Sequence, residues 1–268
     1  LAELRGERSQ YEKHWRRCFE MALPERIPQF GGEISDQEKK QAQLFDSTCA
    51  DAAQTLTAAI VSGTTPANAI WFKAVPDGMD DQGEMTEGER WLDNACRTMW
   101  KNIHGSNFDS ENPLTVMDSI IAGWGVLYIA EDKEDGYIFE NWSIGNTYIA
   151  SSKRSGIVDT IYRCHSMTAQ AIINEYGENG LHSTIIKAAK DSPTKRFEVL
   201  HVICPRKNGK RDGLKTAMPF ASYHIDISNK QLIRESGYRE FPCAVPRLYK
   251  KRSCSIHCNV SAAKYRHI

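Results

Sequence analysis

Gly123-Trp124-Gly125-Val126-Leu127-Tyr128-Ile129-Ala130 is the stretch where the chain changes its period. Upstream of it, apolar residues recur every three or four positions, the spacing of helix faces; downstream they come in short runs closed by polar turns, the mark of strands. Val126 to Ala130 is predicted as a strand, Asp132-Lys133-Glu134-Asp135-Gly136 as a polar turn and Tyr137 to Trp142 as the returning strand of a hairpin. Asn146 to Ala150 and Ile157 to Cys164 continue as strands joined by Lys153-Arg154-Ser155-Gly156. Thr168 opens a short helix carrying Ala169, Ile172, Ile173 and Tyr176 and ending at Gly177, and a second runs from about Leu181 to Lys190, before Pro193. Phe197 to Cys204, Ala221 to Ile227 and Gln231 to Ser236 are strands, the last two a hairpin around Ser228-Asn229-Lys230.

Working back from Gly123, the spacing predicts four helices. The first carries Leu4, Tyr11, Trp15, Cys18 and Ala22, with Arg and Glu between them, and stops at Pro24 and Pro28. After the break at Gly31-Gly32, a second begins near Asp36, capped by Ser35 or Asp36, and aligns Phe45, Cys49, Ala52, Leu56 and Ile60 before Gly63 and Pro66. That face is rich in small residues, which permit close packing. Trp71-Phe72-Lys73-Ala74-Val75 is predicted as a short strand, followed by an acidic loop from Asp77 to Glu89. A third helix starts near Glu87, with Trp91, Ala95, Met99 and Ile103 on one face and Leu92, Cys96 and Trp100 beside them. A fourth starts near Asn112-Pro113 and aligns Leu114, Met117 and Ile121. Helices first, then strands with a helical insert, make an α+β fold. Its regions are a helical 1–125, a strand-rich 126–247 and a basic tail 248–268, with no internal repeat or low-complexity tract.

A chain of 268 residues, 41% hydrophobic, holds one large core or two smaller ones. Mean hydropathy is −0.51 and 25% of residues are charged. No run approaches the roughly 18 apolar residues of a membrane helix, and Leu1 to Gln10 is charged throughout, unlike a signal peptide. The chain opens on Leu1, so its start is expected upstream. Eight cysteines (Cys18, Cys49, Cys96, Cys164, Cys204, Cys243, Cys254 and Cys258) lack paired spacing and suit reduced thiols in a reducing compartment. The net charge of zero hides an asymmetry. No acid follows Glu240, whereas Arg247, Lys250, Lys251, Arg252, Lys264 and Arg266 do. Taking those six from 34 basic residues leaves 28 against 34 acids in residues 1–240. A body this acidic is suited to passing a nucleic acid rather than gripping its phosphates.

Local enzyme signatures are missing from the sequence. There is no Gly-rich dinucleotide turn, no GxxxxGK[ST] loop, no GxSxG elbow and no HExxH pair. Lys153-Arg154-Ser155-Gly156 lacks the glycines that let backbone N–H groups close on an anion, and is read as a charged hairpin turn. His14, His104, His165, His182, His201 and His224 are spread without metal-ligand spacing. Cys254, His257, Cys258 and His267 loosely echo a zinc site, but three residues separate the cysteines and no hairpin pattern surrounds them. Asp77, Asp80, Asp81 and Glu84 do not follow the alternating calcium-loop pattern and suit a solvated loop better. No catalytic, cofactor or metal residue is assigned.

Three groups of segments do stand out. The first is Leu44-Phe45-Asp46-Ser47-Thr48, then Val61-Ser62-Gly63-Thr64-Thr65-Pro66 and Trp71-Phe72-Lys73. The second is Gly123 to Ile129, Phe139-Glu140, Ile144-Gly145-Asn146-Thr147-Tyr148-Ile149-Ala150, Val158-Asp159-Thr160-Ile161-Tyr162-Arg163 and Met167-Thr168-Ala169-Gln170. The third is Pro219-Phe220-Ala221-Ser222-Tyr223, Glu235 to Pro242 and Val245-Pro246-Arg247. In order and spacing over residues 10–249, these resemble the head-to-tail connecting (portal) proteins of podovirus-type phages.

The resemblance implies a structural virion protein forming a dodecameric ring at one capsid vertex. Through such a ring double-stranded DNA is packaged by a terminase and later ejected, and on it the tail is built. Its implied partners are copies of itself, capsid and scaffolding proteins, terminase, tail adaptors and the passing DNA, with no membrane; its implied place is the virion, after assembly in the bacterial cytoplasm. Family members continue into stem and clip parts, which makes the present residues wing-like. The match ends at Leu248-Tyr249-Lys250, and Lys251 to Ile268 has neither an acid nor a period. A frame broken near Lys250, leaving a non-functional prophage fragment, is the expectation, tested by reading the encoding DNA in its other frames. Trp71, Phe72, Trp124, Tyr128 and Phe139 are expected in the core. Two other functions are weighed. A nucleic-acid module using the basic tail requires salt-sensitive DNA binding that residues 248–268 carry. A hydrolase with dispersed catalytic residues requires carboxylates and histidines converging in a pocket.

Overall fold

The computed structural model describes residues 2–26, 46–75, 86–131, 136–153, 156–211 and 213–248. Gly31-Gly32, the Ser35/Asp36 cap, the four loop carboxylates from Asp77 to Glu84, most of the 132–136 turn, and Cys254, His257, Cys258 and His267 lie outside the described residues.

Among the described residues, four helices come first: α1 (Ala2–Ala22), α2 (Thr48–Thr64), α3 (Glu87–Gly105) and α4 (Phe108–Ala122). The hairpin β1 (Leu127–Glu131) and β2 (Tyr137–Asn141) follows, then β3 (Thr147–Ala150) and β4 (Thr160–Thr168). Helices α5 (Ala169–Tyr176) and α6 (Ser183–Asp191) interrupt the strands before β5 (Arg196–Pro205), β6 (Phe220–Asp226), β7 (Gln231–Tyr238) and β8 (Cys243–Ala244). The fold is α+β. One sheet runs β2-β1-β8 and the other β3-β4-β5-β6-β7, with every pairing antiparallel.

The main core is shared by both kinds of structure. Trp15 and Phe19 of α1, Ala53 of α2 and Ile121 of α4 pack with Trp124, Trp142, Ile149, Ile161 and Ile203. The stripe of α1 that enters this core contains a charge, because Arg8 is buried with Trp15, Phe19 and Ala22. Its guanidinium donates to the carbonyls of Gly145 (2.6 Å) and Thr147 (2.9 Å), tying the first helix to the start of β3. A second core, built from Ile172, Ile185, Phe197 and Val199 among others, seats α5 and α6 on the five-stranded sheet.

Gly123-Trp124-Gly125 makes the switch from helix to strand. Gly123 has φ 90°, the left-handed cap that ends α4, and its N–H bonds the Ser119 carbonyl at 2.8 Å. Gly125 is small for another reason: a Cβ there would lie 2.5 Å from the Thr115 carbonyl and 2.8 Å from Ser119 Oγ. Gly125→Ala is therefore expected to cost about 1–3 kcal/mol through overpacking, measured by urea denaturation, with Gly63→Ala, where a Cβ meets nothing within 4 Å, as the tolerated comparison.

Four expectations need correction. Residues 71–75 are extended but pair with no described strand; they lie on α3 instead, where the Ala74 N–H meets Cys96 Sγ at 3.3 Å. Helix α4 begins at Phe108, a turn before Asn112-Pro113, because the Asn107 carbonyl accepts from both Ser110 and Glu111 and Pro113 is tolerated inside. The strand expected from Ile157 begins at Thr160 and runs to Thr168. In α2 the buried residues are Ala53 and Thr57, so the aligned Cys49, Ala52 and Leu56 point outward.

Candidate assembly surface

Helix α3 is well started and poorly covered. Thr86 and Glu89 form a reciprocal capping box, Thr86 N–H to Glu89 Oε2 at 2.6 Å and Glu89 N–H to Thr86 Oγ1 at 3.3 Å. These bonds hold the Glu89 carboxyl below the usual range. Only Cys96 of this helix is buried, whereas Trp91 is 69% exposed and Met99 47%. With Ala95 between them, these residues form a stripe at i, i+4, i+8 facing away from the core. Leu56 of α2, Ile70, and Val75 of the extended segment are exposed too. Burying one such side chain is worth about 1.5–3 kcal/mol.

The inner side of the same helix is held by rings. Trp100 meets His104 at 5.1 Å, His104 meets Phe108 edge-on at 5.5 Å, and Phe108 meets Phe139 at 5.1 Å. Trp71 joins from the side, 6.4 Å from Phe108 and donating to His104 Nε2 at 3.2 Å. Of the five aromatics expected in the core, Trp124 and Phe139 are buried, Tyr128 and Phe72 are half-buried, and Trp71 is exposed. Trp71 is corrected accordingly: it lacks a sheet to pack under and caps the α3–α4 junction instead.

The quoted motifs act as joints. Asp46 Oδ1 accepts from the Thr48 hydroxyl at 2.5 Å and from the Thr48 N–H at 2.9 Å at the start of α2, and these bonds hold the Asp46 carboxyl low. Thr65 Oγ1 accepts from Asn112 at 2.9 Å, joining α2 to α4. Gly125 N–H bonds the Pro246 carbonyl at 3.2 Å and Leu248 N–H that of Gly123 at 3.1 Å, so the second and third groups pair in space. In the charged turn, Gly156 N–H bonds the Lys153 carbonyl at 3.0 Å; residues 154 and 155 lie outside the described residues.

Three of the scattered histidines do converge. Arg163 (β4), His201 (β5), His224 (β6) and Arg234 (β7) are cross-strand partners in one row, with His165 two residues along β4. The His201 and His224 rings stack at 4.0 Å, and His201 Nε2 bonds Ser222 Oγ at 2.9 Å. Burial pushes the histidines toward the neutral form, His165 and His224 to about 4 and His201 well below its ordinary value. Their surroundings are rings: Trp142 lies 5.4 Å and Tyr128 6.2 Å from His201, and Tyr176 lies 5.2 Å from His224. Arg163 donates to Glu140 Oε2 at 2.9 Å and sits 4.7 Å over Trp142. The sequence hid this row because its cross-strand neighbours are 10 to 38 residues apart and meet only through strand register. Among the described residues no cluster of His, Cys, Asp and Glu could hold a metal, and no helix is long and apolar enough to cross a membrane. The described cysteines are free thiols; Cys96 and Cys243 are buried, and burial pushes the Cys243 thiol up.

Residues 1–254 match the family described as bacteriophage head to tail connecting protein, reaching four residues past the last quoted lysine, Lys250. The chain is 30% identical over 256 residues to the portal protein of Salmonella phage epsilon15, covering 92% of this chain and 45% of that protein. It is 24% identical over 250 residues to the probable portal protein of Bordetella phage BPP-1, covering 91% of this chain and 44% of that one. It thus spans less than half the length of these relatives. Joints where the motifs lie, a fold of helices leading into antiparallel sheets and a match along nearly the whole chain converge on one assignment: the chain belongs to the bacteriophage head to tail connecting protein family.

Proposed function

We propose that this chain is the wing-like part of a portal, a structural ring at one capsid vertex through which double-stranded DNA enters and leaves and on which the tail is assembled. The family match over residues 1–254 carries this reading. The exposed apolar side chains of α2 and α3 support it, since large apolar groups left open on a folded body call for a neighbour. The neighbour is a second copy, in a closed ring of twelve. Capsid and scaffolding proteins, terminase and tail adaptors are the other partners, and the virion is the location. Residues 1–125 and 126–247 act as helical and strand-rich regions of one unit, joined through the core around Trp124. The acidic body suits a channel that lets DNA slide, and the motif residues serve packing and subunit contact rather than catalysis.

The test is self-association. Trp91→Glu with Met99→Glu is expected to weaken it about a hundredfold or more, given the apolar burial that two such side chains supply. Sedimentation velocity reads the effect, and an unchanged near-ultraviolet spectrum shows that the fold survives. Unaltered association would remove α3 from the contact.

A further inference from the structure

We propose that the histidine row is an acid-operated release between the five-stranded sheet and the β1–β2 hairpin. The row lies on the seam. His201 presents its ring to Trp142 and Tyr128, which stack on each other at 4.5 Å, and Tyr128 OH bonds Tyr238 OH at 2.8 Å. Glu140 of β2 receives both Arg163 of β4 and the Trp142 indole N–H, each at 2.9 Å. Beside the shared apolar core, one carboxylate, one imidazole and one pair of tyrosine hydroxyls thus join the two sheets.

The same packing makes a proton unwelcome. The row is closed at each end by an arginine, Arg163 and Arg234, and its two central rings touch face to face at 4.0 Å. His165 adds a third imidazole from β4; Tyr176, which carries the neighbouring Glu175 on its hydroxyl, closes the α5 side and stays neutral because burial raises it. The nearest acid on the β2 side is Glu140, already bonded to Arg163 and Trp142. His224 Nδ1 is buried with no hydrogen-bond acceptor among the described residues, so a proton added there has no partner. A charged His201–His224 pair relieves itself only by turning out of the row, which withdraws the ring edges from Trp142 and Tyr128 and frees the hairpin.

The direction follows from linkage. An opened seam restores the histidines to about 6.5, whereas in the closed one His165 and His224 stand near 4. The open form therefore takes up protons first as pH falls from about 6.5 to about 4, and closure weakens through that window, fully retained only above it. For a single histidine the loss reaches on the order of a hundredfold at the lower end. Asp118 works the other way: burial raises its carboxyl to about 6, so its protonation favours the folded form between about 6 and its ordinary 3.8. One carboxyl offsets part of what three histidines lose.

Hydrogen exchange between pH 7.5 and 4.5, corrected for intrinsic rates, tests the release. Seam amides, among them the Ile129 N–H on the Pro242 carbonyl (2.8 Å), which ties β1 to the segment leaving β7, are expected to lose about a hundredfold of protection before the amides of α1 and α4 do. His201→Phe with His224→Phe keeps the rings without the protons and is expected to lower the opening midpoint by about one pH unit or more; His182→Asn, at a half-buried helix cap outside the row, leaves it in place. Seam amides equally protected at both pH values, or a double variant opening at the wild-type midpoint, would overturn the proposal. If the double variant does not fold at pH 7.5, the wild-type exchange alone decides.

Discussion

Replacing Trp124 by alanine is expected to remove about 3–5 kcal/mol of stability, the cost of deleting a large aromatic from a closed core. Trp124 is 0% exposed and sits between the two glycines that turn α4 into β1. Its ring meets Trp15 of α1 edge-on at 5.8 Å, and it belongs to the same buried cluster as Ile161 of β4, Ile203 of β5 and Cys243 of β8. Its backbone forms a bridge with Arg247. One side chain thus joins the first helix, the helix-to-strand switch and both sheets. Against the total of about 5–15 kcal/mol typical of a domain, such a loss leaves little reserve. Urea denaturation of Trp124→Ala and Trp124→Phe measures it, the phenylalanine keeping a ring and losing about half as much or less. A cost under about 1 kcal/mol for the alanine would mean that the regions are not held together here.

Arg8→Leu is expected to cost a similar amount, for a different reason. Arg8 is 1% exposed, spans from α1 to the carbonyls of Gly145 and Thr147, and lies 4.5 Å over the Tyr148 ring. Burial pulls its guanidinium below the ordinary arginine value. Leucine fills the space and leaves two buried carbonyls without these donors, each worth about 1–3 kcal/mol. Arg8→Lys does not restore them, because an ammonium lacks the fork that reaches two acceptors at once. Glu12→Gln separates the parts: Glu12 is Arg8's ion-pair partner at 3.3 Å, but it is partly solvated, so its loss costs about 1 kcal/mol or less. Equal losses from Arg8→Leu and Glu12→Gln would place the stabilisation in the ion pair instead.

These two residues mark what a linear reading can and cannot see. The period change at Trp124 is a local signal, and with it came the α+β order, the hairpins and the α5–α6 insert. Strand 71–75 failed because Trp, Phe and Val suit a sheet, whereas the backbone there found a helix surface and a thiol as partners. Cys49, Ala52 and Leu56 are spaced as a core face would be, yet α2 turns its neighbouring Ala53 and Thr57 inward and leaves those three outside. Arg8 had a trace in the sequence: it lies four residues after Leu4 and three before Tyr11, inside the apolar stripe of α1, where a solvated charge does not belong. The histidine row left no such trace. Arg163, His201, His224 and Arg234 become neighbours only once four strands are in register, and register is a property of the fold rather than of any segment. Likewise the exposed stripe of α3 reads as a core face by period alone, and only its burial in the fold shows that no neighbour from the described residues covers it.

The proposed role is assembly with further copies of the chain. Negative-stain electron microscopy of the purified chain at high protein concentration tests that most directly. Closed annular particles of uniform diameter, lost in the Trp91→Glu, Met99→Glu variant, are the expected result. A well-folded chain that stays monomeric at every concentration would contradict it.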